Sequence, residues 1–481
     1  MRHAALTLLL SACQLSLKAT PCETHAECRD AFGTGIVCGD DGYCGPVELP
    51  SRCSVWPTDA LASPSPDDDT IWFGAQYEYS SDYIELLASE LAFVQANART
   101  GLDGRLFALV ECDSSEDPAL DDLDPLEATR AISLFQADQM GVQVVVGAEY
   151  SSRAEVAYTT LEPFGVALIS PSASSPALTT IDGTTSTDAA PGLFWRTIPP
   201  DTDQGVAMAQ ELRERLGNGS VTVIAEAGAY GEGFARELLK AYDPSSARST
   251  LRYFADSTDL STAIVDTGAS PPSVVIFITG EWARAADFLN AAGNIPAYAA
   301  LPIFFTDGAK VEDLLGALTE AGRALLPNVR GTFPRTPTGR TTYQVFATSF
   351  RLEYSGYDPD SDSYTPYCYD AGWLALYGAA WSAYQEGDIT GLGVARGLRR
   401  ISDGPSVDVG PTTWTDVRAR FRDGQGVDLN GSSGALDYDP ETGETSAAVD
   451  IWVVEGAGFR VTHCWDLTSA PDPLCDGSPL E

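Results

Sequence analysis

From residue 70 to residue 306 the chain alternates short apolar runs with amphipathic stretches, and few architectures accept that rhythm. Thr70–Ala75, Arg105–Glu111 and Val142–Gly147 read as strands, while Asp82–Ala98 and Pro125–Met140 read as helices. In the first helix Ile84, Leu87, Leu91 and Val94 recur at helical spacing, the mark of one buried face. The rhythm restarts after Pro199-Pro200, with helices over 204–216, 231–242 and 283–292 between strands over 220–225, 274–279 and 302–306. Short strands that are apolar throughout and alternate with helices form βαβ units around parallel sheets covered on both faces. Helices follow over 343–354, 369–384 and 412–422, and strands near 435–438 and 447–454. Gly391–Gly397 misses the dinucleotide-binding spacing and reads as a turn beside a helix. At 481 residues the chain holds two or three domains with full cores.

Two strand ends carry the chemistry. Val166-Ala-Leu-Ile runs into Ser170-Pro-Ser-Ala-Ser-Ser-Pro176, and Pro176 is placed to open a helix. Upstream, Val142–Gly147 runs into Ala-Glu-Tyr-Ser-Ser and a helix from about Arg153. Hydroxyls and backbone N–H groups at paired strand ends form a crevice for a polar or anionic group at the carboxyl edge of an open sheet. Singly, each serine cluster is an ordinary helix cap; side by side they read as a ligand crevice.

Acidic residues outnumber basic ones 68 to 29, for a net charge of −39, which argues against nucleic-acid binding. Of three histidines, His3, His25 and His463, none lies in the globular body before its last strand. Ser-His-Asp catalysis and histidine-rich metal sites therefore have little support, and Gly-x-Ser-x-Gly and P-loop motifs are absent. The chain is read as a non-enzyme without a cofactor or metal. Asp67–Asp69 and Asp358-Pro-Asp-Ser-Asp362 read as solvated acidic loops, since the second lacks the glycine and terminal glutamate of a calcium loop.

Met1-Arg-His followed by Ala4–Leu10 reads as a secretory signal. Leu10-Ser-Ala-Cys13 resembles a bacterial lipobox with Cys13 as the lipidated residue, and Gln14 in place of aspartate favours the outer membrane. The other cysteines are then expected in disulfides. Cys22, Cys28, Cys38 and Cys44 form a stapled spacer of undetermined pairing, resembling small Cys-rich modules of exported bacterial proteins. Cys53 with Cys112 and Cys464 with Cys475 are the remaining candidate pairs, which leaves Cys368 unpaired.

Taken in order, these segments amount to a family pattern. Ile169-Ser-Pro-Ser-Ala-Ser-Ser-Pro-Ala-Leu-Thr179 is similar to the central motif of type I periplasmic binding proteins of the branched-chain amino-acid-binding kind. Phe194–Asp201, Tyr230-Gly231, Asp307-Gly308, Tyr369-Asp-Ala371 and a closing hairpin over Gly434–Gly443 resemble further family segments in the right order, over roughly 70 to 463.

The resemblance implies an α/β fold of two Rossmann-like lobes with parallel sheets, joined by a three-strand hinge crossing near Pro199, Gly331 and Asn430, behind a small disulfide-rich N-terminal module. The expected division is a lipoprotein signal and lipobox over 1–13, a Cys-rich spacer and linker over 14–69, and lobe one over 70–199. Lobe two covers 200–332, lobe one returns over 333–429, lobe two returns over 430–463, and a disulfide-closed tail ends the chain over 464–481. Carried over by position, Ser151 and Ser152 match the first hydroxyl loop, and Ser172, Ala173 and Ser174 the second, whose small residues contact the ligand carboxylate and amine. Tyr230 matches the tyrosine that packs on the ligand, and Asp307 the carboxylate that pairs with its ammonium. Glu281 stands where an aromatic is frequent; it either adds negative charge to the cleft or caps the next helix, and makes a basic or polar ligand as fitting as an aliphatic one.

The implied function is an extracytoplasmic solute-binding lipoprotein that captures a small amino acid or related zwitterion, with an ABC permease or a sensor protein as partner. The rival is a surface-displayed interaction protein that keeps the fold without the ligand.

Overall fold

A computed structural model describes residues 20–80, 83–183, 187–217, 219–336, 338–466 and 475–479. The expected signal and lipobox with Cys13 lie outside the described residues. A short hairpin of β1 (Ile36–Cys38) and β2 (Cys44–Pro46) belongs to the N-terminal module. The first large sheet contains β3 (Cys53–Trp56), β4 (Ile71–Tyr77), β5 (Phe107–Asp113), β6 (Val144–Gly147), β7 (Ala167–Ser170) and β8 (Phe194–Arg196). Its order is β3-β5-β4-β6-β7-β8, parallel except for β3 at the edge. The second sheet takes β9 (Val221–Glu226), β10 (Ser249–Phe254), β11 (Val274–Ile278), β12 (Ile303–Phe305) and β13 (Val329–Pro334). Lobe one then adds a short pair, β14 (Ser406–Asp408) and β15 (Asp428–Asn430), before β16 (Val449–Glu455) and β17 (Gly458–Trp465) complete the second sheet. That sheet is ordered β10-β9-β11-β12-β13-β16-β17, with its last two strands antiparallel. Helices on both faces make each lobe a doubly wound α/β unit, as the alternation predicts.

Residues 20–69 are not a free spacer. Cys22–Cys38 and Cys28–Cys44 staple the helix His25–Phe32 to its hairpin, so these thiols are consumed by disulfides rather than a metal. Arg29 reaches out of the module into lobe one and donates to the carbonyls of Asp138 and Gln139, the latter at 2.8 Å. Those carbonyls end the helix that starts at Pro125 and closes in a π-turn over Phe135–Gln139, where unpaired acceptors and the helix dipole favour a cation. β3 follows and joins the first sheet, clipped to β5 by Cys53–Cys112. Cys464–Cys475 closes the C-terminal loop, and Cys368 is buried and unbonded to another cysteine.

Three segments cross between the lobes. The first passes Pro199-Pro200 into the helix Asp201–Leu216, and the second leaves β13 at Pro334. The third lies later than Asn430: Leu429, Leu436 and Tyr438 still pack in the lobe-one core, and the chain enters the second sheet at Val449. Arg196 at the end of β8 binds the crossovers together. It is 1% exposed, and its Nε and Nη2 grip both oxygens of Glu444 at 2.7 and 2.6 Å. Nη1 donates to the carbonyls of Ala173 and Ser175, and Nη2 also reaches Thr179 Oγ1. Every guanidinium proton therefore has an acceptor.

Other elements differ from the sequence reading. β10 and the helix Ser257–Ala269 fill 249–269, which no periodic signal marked, because β10 is an edge strand with Leu251 and Tyr253 exposed. Gly391–Leu398 is a helix, not a turn: a Cβ at Gly393 or Gly397 would fall 2.1 Å from Ser382 Oγ or 2.7 Å from Trp381 Cβ. Its glycines let it lie directly on the helix Thr365–Glu386. Residues 434–443 form no strand pair, only a bridge from Asn430 to Ala435 and a turn closed by Gly443 N–H to Asp439. Pro176 opens a five-residue 3₁₀ turn rather than an α-helix.

Two measurements follow from this framework. Arg196→Ala leaves Glu444 buried without a partner and is expected to cost about 3–5 kcal/mol in denaturant unfolding. On the far side of lobe two, Glu211 accepts from His463 Nε2 at 2.8 Å and Trp465 Nε1 at 3.1 Å. Burial alone would raise its pKa, but these contacts and Arg215 outweigh it and hold the carboxyl down at about 2. A depressed folded-state pKa stabilises the fold above the ordinary carboxyl range and stops doing so as pH falls through about 2. Between pH 4.5 and 2 the melting temperature of the wild type is therefore expected to fall more steeply than that of Glu211→Gln.

Candidate functional site

β6, β7, β9, β11 and β12 all end at the cleft between the lobes, and the residues just past those ends enclose a cavity of about 430 Å³. That volume suits a small molecule. From lobe one, β6 turns into the helix Ser151–Leu161 through Tyr150, a non-glycine residue held at φ +50°. Backbone strain of this kind persists only where its surroundings enforce it, and it gathers at ligand sites. Tyr150 provides no side-chain cap, so the first N–H groups of an 11-residue helix face the cavity with Ser151 and Ser152. Arg153 in the same turn is 5% exposed, donates to Glu78 Oε2 at 2.9 Å, and lies 4.6 Å from the Tyr150 ring centre.

The β7 loop sits beside it. Ser175 N–H donates to Ser151 Oγ at 3.1 Å, which joins the two hydroxyl loops. Ser172 and Ser174 line the cavity; the Ser172 hydroxyl has no hydrogen-bond partner among the described residues, and the Ser174 hydroxyl stands beside the Asp201 carboxyl. Ala173 is placed differently from the sequence reading. It does not line the cavity: its N–H donates to Ser170 Oγ and its carbonyl is taken by Arg196.

Lobe two supplies the opposite wall. Asp307, just beyond β12, is 1% exposed and accepts from the Tyr230 hydroxyl and from Gln204 Nε2 at 3.1 Å. Gln204 also donates to Asp201 Oδ1 at 3.3 Å, so one amide links two buried carboxyls. Burial, then the neighbouring Asp307, drives the Asp201 carboxyl well up. Burial also raises Asp307, but the hydroxyls of Tyr230 and Tyr364 and the Gln204 amide oppose it. Both carboxyls are raised, Asp201 the further, so Asp307 is the member of the pair more readily charged at the cavity wall. Glu281 does not cap the next helix; it lines the cavity and stands 3.6 Å from Arg284.

The lobes touch across the opening. Ser175 Oγ donates to the Ala229 carbonyl at 2.6 Å, and Tyr150 lies over Gly280, where a Cβ would come 3.3 Å from its ring. The structure thus brings Ser151, Ser152, Ser172, Ser174, Tyr230, Glu281 and Asp307 to one cavity. Several lining residues went unmarked in sequence. Glu149, Tyr150 and Arg153 lay inside quoted segments without a role, and Glu85, Glu226 and Tyr364 were given none either. Asp362, read as solvated, is 6% exposed and also lines the cavity. The signal that could have found them is an acidic residue just past an apolar strand, as in Val-Gly-Ala-Glu149 and Ile-Ala-Glu226.

Comparison with known proteins places this arrangement. The family described as the receptor family ligand binding region matches residues 85–457. The Leu/Ile/Val-binding protein of Escherichia coli (strain K12) is 29% identical over 154 residues, 32% of this chain and 37% of that protein. The match thus spans little more than a third of the length of such curated relatives. A solved leucine-binding protein from Thermotoga maritima superposes with a TM-score of 0.63 at 16% identity, over 82% of this chain and 98% of the other. A branched-chain amino-acid transporter substrate-binding protein from Streptococcus pneumoniae, in complex with isoleucine, gives 0.60 at 18% identity over 82% and 98%. At such identities these structures bear on the fold alone. With the family match running through both lobes and the cleft between them, the chain belongs to the receptor family ligand binding region, the type I periplasmic binding proteins.

Proposed function

We propose that this chain is an extracytoplasmic solute-binding protein that holds a small amino acid or related zwitterion between its lobes, for ABC-type uptake or for sensing. The observation that carries the reading is the separation of charge preference within one cavity. On lobe one, uncapped helix N–H groups and the hydroxyls of Ser172 and Ser174 suit a carboxylate. On lobe two, the buried Asp307 carboxylate, ringed by hydroxyls, suits an ammonium group. A zwitterion touching both walls favours the closed arrangement and draws the lobes together. The names of relatives that bind branched-chain amino acids agree with an amino-acid ligand.

The same reading places the protein outside the cytoplasm, tethered to a membrane through a lipid on Cys13, with the outer membrane favoured by Gln14. The lobe boundaries proposed are those implied by the resemblance, with β3 added to lobe one and the third crossover moved to 439–448.

Calorimetric titration of the protein with the standard amino acids tests the ligand class. At least one is expected to bind, and Asp307→Asn to weaken it by about 10- to 100-fold, the worth of a lost charged hydrogen bond. A flat response to every amino acid would favour the rival in which the cleft takes no ligand. Gly280→Leu is expected to lower affinity and to reduce the ligand-induced decrease in radius of gyration in solution scattering, because the added side chain meets Tyr150 across the cleft. Its melting temperature without ligand should stay near that of the wild type, since Gly280 lies at the cavity rather than in a core.

A further inference from the structure

We infer that the ligand of this cleft is an amino acid whose side chain carries a second positive charge. The inference rests on the zwitterion reading above and goes further by assigning the part of the cavity that the backbone of the ligand leaves over.

Once Asp307 is given to the α-ammonium and the serine loops to the α-carboxylate, the remaining lining is strongly acidic. Glu85, Glu149 and Asp362 are 3%, 2% and 6% exposed and border the cavity. Glu226 and Glu281 from lobe two, with Asp124 at a helix start, complete the acidic lining. Among the described residues the single basic one lining the cavity is Arg153, and its guanidinium is already paired with Glu78. Some of these acids have local support: Glu149 accepts Glu78 N–H at 2.7 Å, Glu85 accepts the Cys368 thiol at 3.3 Å, and Asp362 accepts Tyr364 N–H at 2.6 Å and feels Lys310. Glu226 accepts from Thr279 Oγ1 and Gly280 N–H. Arg153 also faces Glu149 and Glu281, Arg284 stands 3.6 Å from Glu281, and Lys310 faces Asp362, so seven lining carboxyls stand against one lining arginine and two cations beside it. An aliphatic side chain would leave that excess of negative charge as it is, and a cation would reduce it.

Two further features fix the kind of cation. Among the described residues no three acidic side chains of this cavity bring their oxygens within 4.8 Å of one another, the spacing a metal ion would need. The negative charge is spread along the cavity instead, as an extended organic cation requires. Aromatic rings stand between the acids: Tyr150, Tyr230, Tyr364 and Trp282 all line the same space. Faces of this kind attract ammonium and guanidinium groups, more strongly where water is excluded. Ser172, whose hydroxyl has no partner among the described residues, and Ser174 beside it keep the carboxylate end distinct, which favours a basic amino acid over a simple diamine.

Isothermal titration of the full chain at neutral pH with L-lysine, L-arginine, L-norleucine, L-leucine and cadaverine tests this. Norleucine and lysine differ at the side-chain end by the ammonium group, and cadaverine is lysine without its carboxylate. Lysine or arginine is expected to bind about tenfold or more tightly than norleucine, the size of one charge-assisted hydrogen bond. Glu281→Gln, at the half-exposed rim, is expected to narrow the lysine-to-norleucine ratio. Norleucine or leucine binding as tightly as lysine and arginine overturns the inference and leaves the zwitterion reading intact. Cadaverine binding more tightly than lysine overturns both, as does the absence of binding by all five compounds.

Discussion

The cleft depends on one buried guanidinium. Arg196 ends β8, fills its donors with Glu444, the carbonyls of Ala173 and Ser175, and Thr179, and so ties the serine loop to two of the three interlobe crossings. An arginine suits this post because its rigid fork can satisfy a carboxylate and loop carbonyls at once while staying charged in a dry interior. Asp201 N–H donates to the Ser174 carbonyl at 2.8 Å, and Thr197 Oγ1 to the Tyr367 carbonyl, so the same crossing is braced on either side of the arginine. The serine hydroxyls that face the cavity are therefore presented by a loop whose backbone acceptors are already engaged. Their freedom to bind comes from the rigidity beneath them.

A second pin works on the lobe-one return. Asp370, inside the helix Thr365–Glu386, accepts from Ser432 N–H, Ser433 N–H and Ser433 Oγ. Gly431 has to lack a side chain there, since a Cβ would fall 2.2 Å from the Asp370 carboxylate. Burial still lifts this carboxyl to about 6, so the loop is held by an acid that sits near its own titration. The cavity and the loops behind it share one character: acids in places where water is scarce.

How much of this was legible in the sequence follows from the range of each interaction. Buried parallel strands such as Val144–Gly147 and Ala167–Ser170 announce themselves as apolar runs, and small hydroxyls after them announce a strand end. Ser151, Ser174, Tyr230 and Asp307 were therefore within reach of local pattern and family resemblance together. The edge strand β10 was not, because its exposed Leu251 and Tyr253 break the apolar run. Gly391–Leu398 was hidden by its glycines, which lower helix propensity but allow the close approach to Thr365–Glu386. That the acids share one cavity was illegible for another reason: Glu85, Glu149 and Asp362 come from three separate segments, and only tertiary folding shows that they border one space. The docking of Arg29 on the carbonyls of Asp138 and Gln139, more than a hundred positions away, is of the same kind.

That docking has a mechanical consequence. The helix beginning at Pro125 has its first turn at the cavity and its last carbonyls in the grip of the N-terminal module. Cys53–Cys112 locks the next segment to the same sheet. Module and lobe one therefore form a single stator. If the cleft takes a ligand as proposed, closure would read out as a displacement of lobe two measured from that stator.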